Sequence, residues 1–256
     1  MSAVDSGSTA LRLDGKRVLI TGASRGIGAN IARTFAAAGA RLILSGRDHD
    51  LLDTVARTLD TDTEVVVADL STTTGPDALA VDAARVFGGI DVLINNAGIS
   101  YPENVASLDT AHFDEVIQVN LRAPSVLAAR VGRAMAEAGS GSIVTIASAA
   151  ALRPLPEHYA YCTSKAGLIM ATKVLALELG GHGVRANSVC PTVVLTEMGQ
   201  KVWGDPVKSA PMLERIPAGR FAEPSEVSTT ALWLASDAAA MINGIDIPVD
   251  GGYLVS

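Results

Sequence analysis

The chain is poor in cysteine, in charge and in long apolar runs, and each shortage excludes something. Cys162 and Cys190 are the only cysteines among 256 residues, too few for a disulfide scaffold and without metal-ligand spacing. The four histidines, at 49, 112, 158 and 182, show no ligand pairing either, so no metal site is expected. Charged residues make up only 18% of the chain while 48% is hydrophobic, a balance too apolar for a disordered polymer. No stretch approaches the roughly 18 uninterrupted apolar residues of a spanning helix. A basic surplus is missing too: 20 Lys and Arg against 27 Asp and Glu leave a net charge of −7, whose field repels nucleic acid and anionic membrane. Residues 1–9 are small and polar, with no basic start and no apolar run of a secretory signal. The expectation is a globular protein of the reducing cytoplasm, with neither nucleic acid nor membrane as partner.

Against these absences stands a regular alternation. Short β-branched and leucine-rich runs at 17–21, 41–45, 64–68, 91–94, 142–147, 185–189 and 245–249 read as strands. They are continuously apolar, as strands covered on both faces are. Between them, 27–38, 51–59, 77–87 and 164–179 carry apolar residues at helical spacing. Strand and helix alternating along the whole length predict an α/β fold: a doubly wound parallel sheet of about seven strands with helices on both faces. Residues 1–12, crowded with Ser, Gly and Thr, read as a loose arm, and 13–256 as a single domain. The rhythm breaks between Cys190 and Ala231, where five prolines interrupt weak helical patterns. Because ligands of parallel sheets sit at the carboxyl ends of strands, part of this stretch, within about 192–224, is expected to form a substrate lid.

Three motifs carry chemistry. The first strand runs into Thr21-Gly22-Ala23-Ser24-Arg25-Gly26-Ile27-Gly28 and then a helix. Glycines there let the chain turn tightly and bring backbone N–H groups and the helix N-terminus close to a pyrophosphate. Asn95-Asn96-Ala97-Gly98 follows the fourth strand. Tyr161 and Lys165 lie four apart at the start of the long helical stretch, so both can project from one face into one cleft. A fixed cation beside a phenol favours the phenolate, which makes Tyr161 the expected general acid/base. At the end of the second strand, Gly46 stands where NAD enzymes carry an acid, and Arg47 is suited to a 2′-phosphate, but Asp48 beside it would repel one or occupy Arg47. NAD(H) and NADP(H) both remain open.

The spacing T-G-x-x-x-G-x-G, with N-N-A-G and Y-x-x-x-K in order behind it, resembles the classical short-chain dehydrogenase/reductase family over about 13–255, and that resemblance implies a Rossmann-type fold. It further implies cofactor contacts at Gly22, Ser24, Arg25, Gly26, Ile27, Gly28, Arg47, Asp69, Leu70, Asn96, Ala97, Gly98, Tyr161, Lys165, Pro191, Val194 and Thr196. Asn120, Ser148, Tyr161 and Lys165 match the family's catalytic four: Ser148 stands thirteen residues before Tyr161, and Asn120 is the helix-bending asparagine. The family is usually a tetramer, so a homotetramer paired through helices near 121–138 and 164–179 and the C-terminal strand is implied. From Tyr161 onward the chain is similar to the dicarbonyl/L-xylulose reductase and polyol dehydrogenase branch, which implies a small polyol or ketose substrate. That resemblance adds Ser148, His158 and the lid residue Trp203 as substrate contacts. Two rival functions share these motifs. A 3-oxoacyl-carrier-protein reductase would favour a basic surface for its acidic carrier; a non-catalytic nicotinamide-binding module would be expected to lose Ser148, Tyr161 or Lys165.

Overall fold

Apolar runs need cover on both faces, and the chain supplies it by returning to one sheet after each helix. The computed structural model describes residues 11–256, apart from the side chains of Met198, Lys201, Val202 and Lys208. In chain order the elements are β1 (Arg17–Thr21), α1 (Gly26–Ala37), β2 (Arg41–Gly46), α2 (His49–Ala56), β3 (Thr63–Val67), α3 (Gly75–Phe87), β4 (Val92–Asn95), α4 (Thr110–Ile117), α5 (Ala123–Ala138), β5 (Gly141–Ile146), α6 (Tyr159–Leu179), β6 (Val184–Pro191), α7 (Glu197–Trp203), α8 (Pro206–Leu213), α9 (Pro224–Ala235) and β7 (Asp246–Val249). The seven strands form one sheet in the order β3-β2-β1-β4-β5-β6-β7, every pairing parallel. The order reverses between β1 and β4, which opens a crevice at the carboxyl ends of those two strands.

Alternation along each strand feeds two cores. Val18 and Ile20 of β1 and Leu42 and Leu44 of β2 pack with Ile31 and Phe35 of α1 and Val227 and Ala231 of α9. Leu19, Ile43, Leu93 and Ile143 point to the other face, against Leu79 of α3 and Leu127 and Val131 of α5. Fully burying such a side chain contributes about 1.5–3 kcal/mol, so the sheet is anchored from both sides and its loops are free to carry chemistry.

The expected strands lie where the apolar runs placed them, with ends shifted by one or two residues. Two differences have physical reasons. β3 is half-exposed, with Val67 50% accessible, because it is the sheet's edge. α6 begins at Tyr159, five residues before the expected start, since Tyr161 and Cys162 continue its first turn. The stretch 168–179, in a helix that the resemblance places at a subunit pairing, is covered within this chain on one face: Met170, Val174 and Leu177 are exposed at 58, 45 and 83%. Residues 1–10 of the expected arm lie outside the described residues. Leu11 packs on the core and the Leu13 N–H bonds Ala38 O at 2.8 Å. No described helix is long and apolar enough to cross a membrane.

Candidate active site

The crevice is built first by contact between two backbones. Gly22 turns at φ +65°, and a Cβ on it would stand 2.9 Å from Ala97 Cα; a Cβ on Gly28 would stand 2.2 Å from Gly22 O. Only glycine permits this approach of the loop after β1 to the loop after β4. Asn96 locks it, its Nδ2 donating to Thr21 O at 2.9 Å and Gly22 O at 3.1 Å. Thr21 Oγ1 accepts from the Asn96 and Ala97 amides at 3.0 and 3.2 Å. α1 then starts without a side-chain cap and with no acidic residue in its first turn, so its N-terminal N–H groups and positive dipole end face the crevice.

The resulting cleft has a volume of about 460 Å³. Of the expected cofactor residues, Gly22, Ser24, Arg25, Gly26, Ile27, Gly28, Arg47, Asp69, Leu70, Asn96, Ala97, Gly98 and Thr196 line it. A glycine cradle, an open helix N-terminus and flanking apolar residues fit a dinucleotide: pyrophosphate over Gly22 to Gly28, adenosine between Arg47, Asp69 and Leu70. Asp69 follows β3 and accepts from the Ser71 amide at 2.9 Å and the Ser71 hydroxyl at 2.7 Å; these bonds hold its carboxyl below the usual range. Thr196 caps α7, its Oγ1 accepting from the Gly199 amide at 3.1 Å, and its own amide donates to Val194 O at 2.8 Å. Pro191 and the buried Val194 side chain lie behind this wall rather than in it. A second cavity, about 450 Å³, opens at the amino ends of the strands beside Lys16, Asp91 and Arg185; none of the motif residues lines it.

The reactive groups adjoin the cleft at Gly98. A Cβ there would lie 3.4 Å from Asn120 Oδ1 and 3.5 Å from Lys165 Nζ, so both polar groups converge on that point. Asn120 is fully buried in a π-helical turn, Gln118–Arg122, between α4 and α5. Its Oδ1 accepts from Ile99 N at 2.8 Å, and its Nδ2 donates to Ile99 O at 2.8 Å and Ser164 Oγ at 3.2 Å. Lys165 Nζ, on α6, donates to Ile146 O at the end of β5 at 2.9 Å and lies 5.8 Å from the Tyr161 ring centroid. Ser148 follows β5; its Oγ accepts the Ala150 amide at 3.1 Å, and the hydroxyl acts on the Tyr161 phenol to lower its pKa. Ser148, Tyr161, Lys165 and Asn120, spread over 46 positions of the chain, thus meet at one end of β5.

The electrostatics differ from the expectation of a phenolate favoured by its lysine. Burial pushes the Tyr161 phenol above its ordinary value, with the Ser148 hydrogen bond opposing. Burial also lowers the Lys165 ammonium to about 8. The two groups share one desolvated wall, so the same loss of water that raises the acid weakens the charge on the cation meant to lower it.

The two expected substrate residues lie in parts of the chain that no local pattern joins. His158 stands edge-on to Tyr161, ring centroids 6.1 Å apart. Its Nδ1 lies 2.8 Å from Pro156 O, a carbonyl that can only accept, so Nδ1 carries a proton and, in the neutral ring, Nε2 is the acceptor. Glu157, immediately before it, holds a left-handed backbone at φ +61°, and its carbonyl accepts the Glu103 amide at 2.7 Å. Trp203, at the end of α7, meets Phe221 at 5.8 Å in a cluster with Ala149, Met212, Ile216 and Tyr253. Thr21 stood within the glycine motif and was readable there; Ser164, Phe221 and Tyr253 carried no signal in the sequence.

A family model described as enoyl-(acyl carrier protein) reductase matches residues 22–254. D-threitol dehydrogenase of Mycolicibacterium smegmatis is 43% identical over 247 residues, 95% of either chain. L-xylulose reductase of Bos taurus is 41% identical over 247 residues, 96% of this chain and 99% of that one. A gluconate 5-dehydrogenase of Burkholderia cenocepacia, solved with NADP and tartrate, superposes with a TM-score of 0.91 at 31% identity, covering 96% of this chain and 98% of its own.

Proposed function

The chain belongs to the short-chain dehydrogenase/reductase family, and on that premise we propose that it transfers a hydride between a nicotinamide cofactor, NAD(H) or NADP(H), and a small polyol or ketose. One observation carries the reading: Ser148, after the carboxyl end of β5, acts on the Tyr161 phenol, and Lys165 is buried one helical turn behind that phenol. In the oxidative direction Tyr161 Oη takes the proton of the substrate hydroxyl; in reduction it returns one to the carbonyl oxygen. Ser148 Oγ holds that same oxygen and stabilises the charge that develops on it. The bound nicotinamide supplies the hydride acceptor or donor. Lys165 adds positive charge beneath the phenol and can reach the nicotinamide ribose, while Asn120 fixes the Gly98–Ile99 backbone beside it. His158 Nε2 accepts a second substrate hydroxyl. The helices α7 and α8 with Trp203 serve as a lid, since the apolar Trp203 cluster packs on Ala149, the neighbour of Ser148. Polyol and ketose chemistry is supported by the relatives named D-threitol dehydrogenase and L-xylulose reductase.

The protein is further proposed to be a homotetramer, for which the exposed apolar stripe Met170, Val174 and Leu177 along α6 offers a face. Both cysteines are free, one of them buried, which accords with a reducing cytoplasm. A panel of small polyols and hydroxyacyl thioesters, followed by nicotinamide absorbance with NAD⁺ and NADP⁺ separately, tests the function. Turnover of a polyol that falls by about 10²–10⁴-fold in Tyr161→Phe, with the fold intact, is the expected result. A second reading is a 3-oxoacyl-carrier-protein reductase, favoured by the carrier-protein chemistry in the description of the matching family model; activity on the hydroxyacyl thioester with silence on every polyol would establish it instead.

A further inference from the structure

Glu157 is the one described residue other than glycine with a left-handed backbone, at φ +61°. That conformation is unfavourable for a side chain such as glutamate and persists only where its surroundings hold it. The turn it makes delivers His158 to the start of α6, three residues before Tyr161. What holds it is the segment that leaves the cofactor cleft. Ile99 lines that cleft with its backbone pinned by Asn120. Further along the same segment, Glu103 pairs with His158 in an isolated parallel bridge, and its amide donates to Glu157 O at 2.7 Å.

Glu103 is in turn held through its side chain. His112 Nδ1, on α4, donates to Glu103 Oε1, and Oε2 accepts the amide of Asp109, the N-cap of α4, at 3.3 Å. The His112 ring lies flat on Tyr101, centroids 4.1 Å apart and planes 15° from parallel. The Tyr101 hydroxyl donates to Glu115 Oε2 at 2.8 Å, and Glu115 lines the cofactor cleft. Neither Glu103 nor His112 lines it. The Glu103 side chain is only 19% exposed, so this is not a freely solvated surface pair. The hydrogen bond to Glu103 raises the His112 pKa, with the charges of Glu103, Asp109 and Glu115 adding to it and burial opposing. The ring therefore keeps its charge to higher pH than a free histidine, and the ionic part of the pair is lost as pH climbs through that raised value.

We propose that Glu103 and His112 are positioning residues for substrate recognition: they fix the backbone at Glu157 and with it the direction from which His158 meets a second substrate hydroxyl. The inference rests on the proposed polyol or ketose substrate and on His158 as its contact. A hydrogen bond weakens steeply once donor and acceptor are misaligned, so loosening this pair acts on substrate binding. The proton-transfer groups are held separately, Lys165 by Ile146 O and Ser148 by the Ala150 amide.

Steady-state kinetics of the intact protein, with saturating cofactor and the polyol it turns over fastest, tests this as a double-mutant cycle. Glu103→Ala removes the anchor, and His112→Phe keeps the stack on Tyr101 while removing the bond. Each is expected to raise KM for the polyol about three- to tenfold, the worth of one hydrogen bond, with kcat within about twofold of wild type. Glu103→Gln still accepts the bond without its charge and should raise KM by less than about threefold. In a His158→Ala background none of them should raise KM further, because the contact they position is gone. Imidazole NMR of the four histidines needs no substrate. His158 should shift in His112→Phe while His49 and His182 stay in place, and His112 should lose its proton at lower pH in Glu103→Gln. Losses confined to kcat, KM effects that add to that of His158→Ala, or an unmoved His158 resonance overturn the proposal while leaving the polyol reading standing. An unchanged KM in His158→Ala does the same by removing the contact. Activity on the hydroxyacyl thioester with silence on every polyol overturns the proposal and the polyol reading together.

Discussion

Lys165 is the residue at which stability and chemistry conflict. It is 3% exposed, has no carboxylate partner to balance its burial, and donates to one carbonyl, Ile146 O. Its ammonium, lowered by burial to about 8 from 10.5, binds fewer protons when folded than when unfolded across that interval. Stability linked to this group therefore rises as pH climbs from about 8 toward 10.5, and below about 8 the folded protein carries the full cost of a buried cation. Lys165→Met should raise the melting temperature at pH about 7, equivalent to a few kcal/mol at most, while lowering kcat by at least about 100-fold. The gain in stability should shrink when calorimetry is repeated near pH ~10, where the wild-type side chain is largely neutral. A melting temperature that falls at both pH values would mean that the bond to Ile146 outweighs the buried charge. Such a destabilising group at an active site is the usual exchange of stability for activity.

Among the elements, the π-helical turn Gln118–Arg122 does the most with the least. Inserting one residue into the ladder between α4 and α5 is unfavourable in isolation, yet it turns Asn120 inward to pair with both backbone groups of Ile99 and with Ser164. Ser164 in turn donates to Tyr161 O at 2.7 Å, so this turn also braces the first turn of α6. Asn120→Ala would leave the Ile99 amide and carbonyl without their partner, costing about 2–4 kcal/mol in urea unfolding. A cost under about 0.5 kcal/mol would show that water replaces the side chain there. The two helices proposed as a lid follow a different logic. α7 and α8 are short, α8 with Pro211 inside it, and side-chain caps at Thr196 and Asp205 start them, so local bonds define their beginnings while the Trp203 cluster packs them on Ala149.

For the whole molecule, the exposed stripe on α6 sets the test of assembly. Met170, Val174 and Leu177 recur at helical spacing on one face, and a charge placed there would be desolvated in any helix-paired oligomer. Leu177→Glu should convert the proposed tetramer to smaller species in sedimentation velocity, with the monomer fold retained, since Leu177 is 83% exposed in the single chain. An unchanged tetramer would put the interface elsewhere. The strands and their parallel sheet were legible because continuous apolar runs answer to local composition. The glycine loop, Asn96, Tyr161 and Lys165 were legible because backbone turns and one helix face fix their spacing within a few residues. The joining of Ser148 and Asn120 to them was legible only by resemblance, because the contacts at Gly98 close across four separate elements. Sequence alone could not decide what Asp48 does, since adjacency to Arg47 says nothing of direction; in the fold Asp48 caps α2, its Oδ1 accepting the Leu51 amide at 3.1 Å. Nor could it foresee the proton balance of Tyr161 and Lys165. Their spacing is covalent and helical, but their affinity for protons depends on how much water the surrounding β5 and β6 loops exclude, and only the tertiary structure determined that.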